Sequence, residues 1–302
     1  DTYGFPSDLV VQTAKDAGLE MDMVGYEKAM QEQKSKAMAS WKGSGEKEVA
    51  PFYKEFAKNS SPTEFNGYLS TEGEATVLAI LKDGSKLESA KKGDSVELLV
   101  DQTPFYGESG GQVGDSGNAS NANVQMEVMD AIKPLPGIIV HKAKITNGLL
   151  TAGDCVTMRV DKITREDTAL NHSATHLLHA ALKKVLGDHI KQAGSLVAPD
   201  RLRFDYTHFS PLTEKERGKI ESQVNEKIRE NIPISTKEME IEAALKEGAM
   251  ALFGEKYGEQ VRVVTVPDFS MELCGGTHVA ATGDIGLFRI VSEGGIASGV
   301  RR

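Results

Sequence analysis

The sequence predicts an α+β fold made of an N-terminal helical segment, a small β-barrel and a final α+β core. Three observations carry this prediction. Apolar residues follow helical spacing at the start of the chain, alternate with a period of two in the middle, and belong to alternating helices and strands from Asp161 onwards. The predicted parts are residues 1–66, 67–160 and 161–302, and 302 residues are enough for about two domains of ordinary size.

Two helices are predicted in the first part. Ser7 can cap a short helix that ends at Gly18, and a second apolar stripe runs to a stop near Gly43. The stripe consists of residues at helical spacing: Met23, Tyr26, Met30, Ala37 and Trp41. The polar stretch at residues 59–62 then predicts a turn or linker.

Short β-rich runs separated by Gly, Asp and Asn turns follow from about Gly67. The runs cover residues 75–81, 96–100, 124–128, 138–145 and 156–160. Since no helical pattern lies between them, this part is typical of a small barrel or sandwich.

The core is predicted to contain two long helices, one over about residues 164–185 and one from Thr213 to about Asn231. Thr213 and Glu216 match a capping box at the start of the second helix. A further short helix is predicted within residues 242–258. Strands are predicted around Leu202, Phe204 and Tyr206, over residues 261–266 and over residues 287–291, the last two apolar enough to be central.

The composition is that of an ordinary globular protein, with 39% hydrophobic and 26% charged residues. No run reaches the roughly 18 apolar residues of a membrane span, so no membrane partner is expected. The net charge of −9 leaves only local patches for nucleic acid, and DNA is not expected as a partner. Two cysteines are too few for a disulfide framework and favour a reducing compartment, by default the cytoplasm. The start at Asp1, without Met, leads us to expect a piece of a longer chain.

Three histidines share one face of the first long core helix. At about 100° per residue, His172, His176 and His179 fall within roughly 60° of one another, opposite an apolar face. Histidines four positions apart bring their imidazoles close enough to share one cation. A solvated polar face would show the same spacing, so both interpretations stay open on this pattern alone.

A second group of metal-binding residue types lies near the end of the chain. Cys274 and His278 flank a Gly-Gly-Thr stretch, whose two glycines free the backbone to turn so that thiolate and imidazole can converge. Together with His172 and His176 they form a His₃Cys set suited to one tetrahedral Zn²⁺. A zinc ion that only stabilises the fold remains an alternative to a catalytic one.

Three neighbouring residues receive other interpretations. His179 is expected to be an ordinary surface histidine, with a secondary role near the metal as the alternative, and Cys155 a small packed strand residue. Ser173 stands where a His-Glu-x-x-His metalloprotease places its glutamate, which disfavours protease chemistry.

Four separated motifs stand out in the chain. They are Asp-Thr-Tyr-Gly-Phe-Pro at residues 1–6, Gly-Gly-Gln at 110–112, His-Ser-Ala-Thr-His at 172–176 and Cys-Gly-Gly-Thr-His at 274–278. In this order they resemble the alanyl-tRNA synthetase family, and the similarity extends over essentially all 302 residues.

The resemblance implies that the chain ends a tRNA-recognition region and contains an editing domain, which hydrolyses tRNA(Ala) mischarged with serine or glycine. The resemblance implies that the family's zinc ligands correspond to His172, His176, Cys274 and His278, and that its editing-site glutamine corresponds to Gln192. The implied cofactor is one zinc ion, and the implied partner is the acceptor end of tRNA(Ala) bearing serine or glycine. ATP and Mg²⁺ would serve only the aminoacylation core that precedes this region in the family, so the chain is not expected to charge tRNA.

Candidate substrate contacts follow from that implied activity. Thr175, beside the zinc ligands, is a candidate partner for the hydroxyl of serine, although it can equally bond to its own helix backbone. Gly110, Gly111 and Gln112 would meet the tRNA acceptor end, and Arg301 is a candidate phosphate contact.

The role of the implied zinc stays open. Four protein ligands close a tetrahedral site. The metal therefore either changes its coordination to polarise water, or it shapes the pocket and orients the substrate. We favour the second role. The amide of Gln192 cannot act as a base at neutral pH and would hold water or substrate by hydrogen bonds. The alternatives are a zinc-stabilised tRNA-binding module without hydrolytic activity and a freestanding trans-editing deacylase, the latter disfavoured by the opening motif.

Overall fold

The computed structural model describes Asp22, Gly25 and residues 49–251 and 258–302. The two helices predicted between residues 7 and 43 therefore lie, apart from Asp22 and Gly25, outside the described residues. Residues Ala50–Arg302 form one compact unit. The domain boundaries at residues 66 and 160 remain predictions.

A closed barrel of six strands forms the first half of this unit. Helix α1 (Pro51–Asn59) is followed by β1 (Glu64–Phe65), β2 (Glu72–Lys82), β3 (Ser85–Leu87), β4 (Ser89–Lys91), β5 (Ser95–Val100), β6 (Gln102–Thr103), β7 (Gly117–Ser120), β8 (Val124–Leu135), β9 (Ile138–Thr151) and β10 (Cys155–Val160). The closed order is β10-β7-β8-β9-β5-β2, with β2 pairing back onto β10 and every neighbour antiparallel. The predicted barrel is confirmed, and all five predicted strands lie within observed ones.

The barrel interior is packed with apolar side chains. Along β8, Val124, Met126 and Val128 are buried while the residues between them are exposed, which is the alternation that closure requires. Phe105 and Leu98 are also buried in the same cluster. The barrel is therefore a scaffold and not a ligand-holding cavity.

The α+β part begins directly after β10. Its elements are α2 (Lys162–Leu186), β11 (Gln192–Ala198), β12 (Arg201–Thr207), α3 (Glu214–Arg229), β13 (Ser235–Glu240), α4 (Ile241–Lys246), β14 (Gln260–Val266), β15 (Ser270–Leu273), a 3₁₀ turn (Thr282–Ile285), β16 (Gly295–Ala297) and β17 (Val300–Arg301). They form two sheets, β11-β12-β17-β16 and β13-β14-β15. Both predicted long helices are present, and none of the helices in the described residues is long and apolar enough to cross a membrane.

Side-chain caps fix where the two long helices begin. The carboxylate of Asp161 accepts a hydrogen bond from the backbone N–H of Thr164 at the start of α2. Thr213 and Glu216 form the predicted capping box at the start of α3, with each side chain bonded to the other residue's backbone N–H. Leu178 and Leu182 of α2 pack with Ile220 and Val224 of α3, which joins the helices in one core.

The strand predicted over residues 287–291 is wrong, because this segment is irregular. Phe288 and Ile290 do pack on the core, but their backbone groups bond to side chains of α3 and to no neighbouring strand. Asn225 accepts from the N–H of Phe288 and donates to its carbonyl, and Glu221 accepts from the N–H of Ile290. Leu287 and Val291 are correspondingly exposed.

A buried ion pair joins the barrel to α2. Arg165, 6% exposed, donates from Nε to both carboxylate oxygens of Asp115 at 2.9 and 3.0 Å. Its Nη1 and Nη2 atoms also donate to the carbonyls of Gly67 and Pro104. Asp115 in turn accepts from the N–H of Tyr106. Helix α2 is thereby tied, two turns before its histidines, to three places in the barrel chain.

We expect Asp115→Asn to lower the free energy of unfolding by about 3–5 kcal/mol, because it leaves a buried guanidinium without its counter-charge. Urea denaturation measures this loss. The matched control is Glu72→Gln, which breaks the exposed pair with Arg159, whose side chains are 55% and 47% exposed; it should cost less than about 1 kcal/mol. Equal losses in the two variants would contradict a special role for the buried pair.

Candidate metal centre

Helix α2 and the loop after β15 bring four metal-binding side chains together. One ligand atom from each of His172, His176, Cys274 and His278 lies within 4.8 Å of every other. The Sγ atom of Cys274 is 3.4 Å from Nε2 of His172 and 3.3 Å from Nε2 of His278. The two sequence-distant pairs therefore converge on one point, as the pattern of residue types predicts.

The histidines of α2 are buried. His172 and His176 are each 5% exposed, and every residue from 172 to 182 is buried. The alternative of a solvated polar face is therefore wrong. Burial lowers the pKa of His172 and His278 well below the ordinary value, with a smaller effect from the neighbouring imidazoles, and lowers that of His176 in the same direction. The rings are consequently neutral, the form that binds a metal.

The group can hold one metal ion. The Nδ1 atom of His176 is buried without a hydrogen-bond partner, which is costly unless something else satisfies it. The other ring nitrogen, Nε2, is 3.9 Å from the carboxylate of Glu272. Three imidazoles and a thiol that meet at one point, with an unsatisfied nitrogen among them, are a donor set that suits one tetrahedral metal ion.

Hydrogen bonds orient two of the rings from behind. Nδ1 of His172 lies 2.6 Å from Oε1 of Gln112, and Nδ1 of His278 lies 3.1 Å from Oγ of Ser173. In both rings Nε2 is then the nitrogen that faces Cys274. Such outer contacts commonly fix the tautomer and the angle of metal-binding histidines.

Glu272 is a buried carboxylate beside the cluster. It lies on β15, is 3% exposed, and contacts Nδ1 of His179 at 3.2 Å and the hydroxyl of Ser270 at 3.2 Å. Burial raises its pKa, but the attraction of the His176 ring once that ring is protonated in acid, together with the hydrogen bonds of His179 and Ser270, outweighs that effect and holds the pKa at about 2. His179 is therefore a buried partner of Glu272, and the expected surface histidine is wrong. Cys155, expected to be packed, is exposed.

The loop that carries Cys274 is held from two sides. Nη1 of Arg262, on β14, donates to the carbonyls of Cys274 and Gly276 at 2.9 and 2.7 Å. The hydroxyl of Tyr68, from the barrel region, donates to the carbonyl of Gly275 at 2.5 Å, and the Arg262 guanidinium lies 4.1 Å from the centre of the Tyr68 ring. Gly276 leaves no room for a side chain, since a Cβ there would fall 2.0 Å from the His172 ring.

A cleft of about 50 Å³ is lined by three of the four candidate ligands, His172, His176 and Cys274. Thr175, Gln192 and Gly110 line it, so the structure brings these three predicted site residues to the metal centre, together with Ser109 and Ser195. The volume has room for a few water molecules or a small acyl group. Thr175 Oγ1 donates to the carbonyl of Asn171 at 2.8 Å, the backbone bond considered from the sequence.

The other predicted tRNA contacts are placed differently. Gln112 is fully buried and its amide bonds inside the protein, so the predicted contact of this side chain with tRNA does not fit the structure. Gly111, with φ of +83°, packs so closely on Ser195 that a Cβ would fall 2.8 Å from its carbonyl oxygen. Arg301 pairs with Glu293 and does not line the cleft.

A second and larger cavity lies on the other face of α2. It measures about 650 Å³ and is lined by apolar residues such as Leu170 and Leu178 together with charged ones such as Asp167, Arg203 and Glu293. Neither an imidazole nor a thiol lines it, so it lacks the metal-binding side chains of the small cleft. The small cleft lies beside the converging imidazoles and thiol, and it is therefore the candidate site.

Comparison with known proteins gives two family matches. The family described as tRNA synthetases class II (A) matches residues 1–164, and the one described as threonyl and alanyl tRNA synthetase second additional domain matches residues 261–302. The second match contains the Cys274–His278 loop.

Similar curated proteins agree with these matches. Proteins named alanine–tRNA ligase from Myxococcus xanthus, Sphingopyxis alaskensis and Mesorhizobium japonicum are 51%, 50% and 46% identical over 305, 308 and 312 residues. Each alignment covers 100% of this chain and 34%, 35% and 35% of the respective relative. The chain thus spans about a third of the length of these relatives.

We expect Gly276→Ala to weaken metal binding at least about tenfold, because the added Cβ must displace the His172 ring. Competition with a chromogenic chelator measures the affinity. Gly218→Ala is the matched control: a Cβ there meets nothing within 4 Å, and alanine suits the interior of α3. An unchanged affinity in Gly276→Ala would show that the ring position does not limit binding.

Proposed function

The chain belongs to the alanyl-tRNA synthetase family, and on that premise we propose that it hydrolyses the ester of tRNA(Ala) mischarged with serine or glycine. The observation that carries the proposal is the convergence of His172, His176, Cys274 and His278 beside a small polar cleft. The second additional domain matched at residues 261–302 is associated with editing and supplies two of these side chains.

We propose Zn²⁺ as the metal, held by His172, His176, Cys274 and His278. Three imidazole nitrogens and one thiolate suit zinc better than the oxygen-preferring cations. When bound, zinc supplies a positive charge that can polarise an oxygen atom or simply fix the shape of the site. Four protein ligands would close a tetrahedral site and leave no position for water. We therefore propose that the main role of the ion would be to fix the shape of the cleft and so to orient the ester.

The cleft would take only the aminoacyl end of the substrate. Its volume of about 50 Å³ suits a seryl or glycyl group, and the ribose and base would lie at its mouth. Gly110, at the rim, allows close approach of a backbone or a phosphate. The ester is already activated, so hydrolysis needs a positioned water molecule more than a strong base.

Thr175 is the proposed selector for serine. Its hydroxyl hydrogen is committed to the carbonyl of Asn171, so the lone pairs of Oγ1 remain to accept a hydrogen bond from the serine hydroxyl. Alanine lacks that hydroxyl and would leave the buried oxygen unpaired. Such polar contacts discriminate more strongly than a missing methyl group does. The helix-backbone bond and the substrate contact are therefore compatible.

Gln192 is the proposed holder of water or of the ester carbonyl. It lines the cleft at the start of β11, where the pairing with β12 is irregular between Gln192 and Gly194. An amide cannot take a proton at neutral pH, but it both donates and accepts hydrogen bonds. Its role is thus orientation of the attacking water or stabilisation of the developing negative charge.

For the full-length protein, we propose the activity for which its relatives are named, the ligation of alanine to tRNA(Ala) with ATP. We also propose that it acts in the cytoplasm. This chain would supply the correcting hydrolysis. A zinc-stabilised module that binds tRNA without hydrolysis is the main alternative. The freestanding deacylase stays as a further alternative, and deacylation of Ser-tRNA(Ala) by the purified chain separates hydrolysis from binding alone.

We expect Gln192→Ala to slow deacylation of Ser-tRNA(Ala) by about a hundredfold, the usual cost of one positioned hydrogen-bonding group. Its zinc content should equal that of the wild-type chain, because Gln192 contacts none of the four ligands in the described hydrogen bonds. Release of labelled serine gives the rate, and elemental analysis gives the metal. A wild-type rate in this variant would remove Gln192 from the mechanism.

Thr175→Val keeps the volume of the side chain and removes its oxygen. We expect hydrolysis of Ser-tRNA(Ala) to fall by about tenfold or more, because the serine hydroxyl loses its acceptor. Gly-tRNA(Ala) is the internal control, since glycine has no hydroxyl and its hydrolysis should change little. Equal losses on both substrates would show that Thr175 supports the helix and does not select serine.

A further inference from the structure

We propose that Gln112, on a hairpin of the barrel chain, is a positioning residue of the metal centre: its amide oxygen holds the proton of His172 on Nδ1 and so presents Nε2 to the metal. The inference rests on the proposed metal site and assigns Gln112 a role inside the protein in place of the expected tRNA contact.

The orientation of the Gln112 amide follows from its partners. The backbone N–H of Thr277 can only donate, and it lies 3.0 Å from Oε1 of Gln112. The Nε2 atom of the same amide donates to Oγ1 of Thr277 at 3.0 Å. Both contacts agree on which end is oxygen, and it is this oxygen that lies 2.6 Å from Nδ1 of His172.

That oxygen decides the tautomer of the ring. A carbonyl oxygen only accepts, so the hydrogen between the two atoms must belong to Nδ1 of His172. With the hydrogen on Nδ1, the other nitrogen of the imidazole, Nε2, is the one that can offer its lone pair to a metal ion. Nε2 lies 3.4 Å from Sγ of Cys274, on the side where the ligand atoms meet.

Gln112 bonds to both elements that carry metal ligands. His172 lies on α2, and Thr277 lies between Cys274 and His278, 165 positions from Gln112. Gln112 is itself fixed by a tight hairpin, in which the backbones of Ser109 and Gln112 bond to each other. With a fully buried side chain, it has little freedom to adopt another arrangement.

The hairpin is docked on the core by backbone bonds. The N–H of Val113 donates to the carbonyl of Val197 at 3.0 Å, and the N–H of Val197 donates to the carbonyl of Gly111 at 2.7 Å. Val197 lies on β11, the strand that also carries Gln192. Hence the metal centre is complete only when the hairpin is docked on β11, and metal binding should in turn stabilise the docked hairpin.

The test compares two substitutions at Gln112 in the 302-residue chain. Gln112→Leu keeps a similar volume but removes the acceptor, and we expect zinc affinity to fall by about 10- to 100-fold. Gln112→Glu keeps oxygens for the N–H groups of His172 and Thr277, while the Thr277 hydroxyl can rotate to donate. We expect Gln112→Glu to stay within about tenfold of wild type and above Gln112→Leu. Competition between the chain and a chromogenic chelator for Zn²⁺ gives the affinities.

A spectroscopic readout tests the tautomer itself. In the zinc-loaded wild-type chain, the ¹⁵N resonances of His172 should show a protonated Nδ1 and a metal-bound Nε2. The reverse assignment overturns the proposal, even if Gln112→Leu does not fold. Asn225→Leu is the matched control for lost amide bonds, because Asn225, on α3, bonds to the backbone of Phe288 and, in the described hydrogen bonds, to no metal ligand. It should lower the melting temperature and leave zinc affinity unchanged.

The outcomes separate this proposal from the proposed function. Wild-type affinity in a folded Gln112→Leu variant overturns the positioning role while the metal site stands. A wild-type chain that binds no zinc contradicts the metal site itself. Loss of affinity in Gln112→Leu with retention in Gln112→Glu supports the positioning role.

Discussion

The convergence of three imidazoles and a thiol at one point, with His172 and His176 buried, is the constraint on which the α+β part depends. These groups come from a continuous helix and from a loop about a hundred residues later, and burial holds the rings neutral. Unsatisfied nitrogens in such a place are costly, as Nδ1 of His176 illustrates. A shared metal ion removes that cost and fixes α2 against the loop, so the proposed zinc would be both a structural element and a part of the site.

The barrel contributes to this centre although it holds no ligand. Arg165 anchors α2 to the barrel through Asp115, Tyr68 bonds to the loop at Gly275, and Gln112 contacts His172. These contacts come from two segments of the barrel chain, one at Tyr68 and one over residues 112–115. A packed scaffold that reaches the site through several rigid contacts can hold ring positions more precisely than a surface loop can.

The small size of the cleft limits how it could discriminate between amino acids. Serine and alanine differ too little in bulk for a pocket to exclude one of them by volume, so the contrast between these two must come from hydrogen bonds. Thr175 offers an acceptor there and Gln192 offers an amide. The larger cavity on the other face of α2 also has polar groups, but neither an imidazole nor a thiol lines it.

The sequence by itself determined the elements with strong local signals. Period-two strands predicted the barrel, the Thr213 capping box predicted the start of α3, and the residue types at 172, 176, 274 and 278 predicted two candidate metal-binding pairs, because spacing and side-chain chemistry are local properties. Only the tertiary structure decided the rest. It left 287–291 irregular because Asn225 bonds to the backbone of Phe288, buried His179 against Glu272, and turned Gln112 inward onto His172. Each of these contacts joins residues at least 60 positions apart, and no local pattern records which distant group will satisfy a buried polar atom.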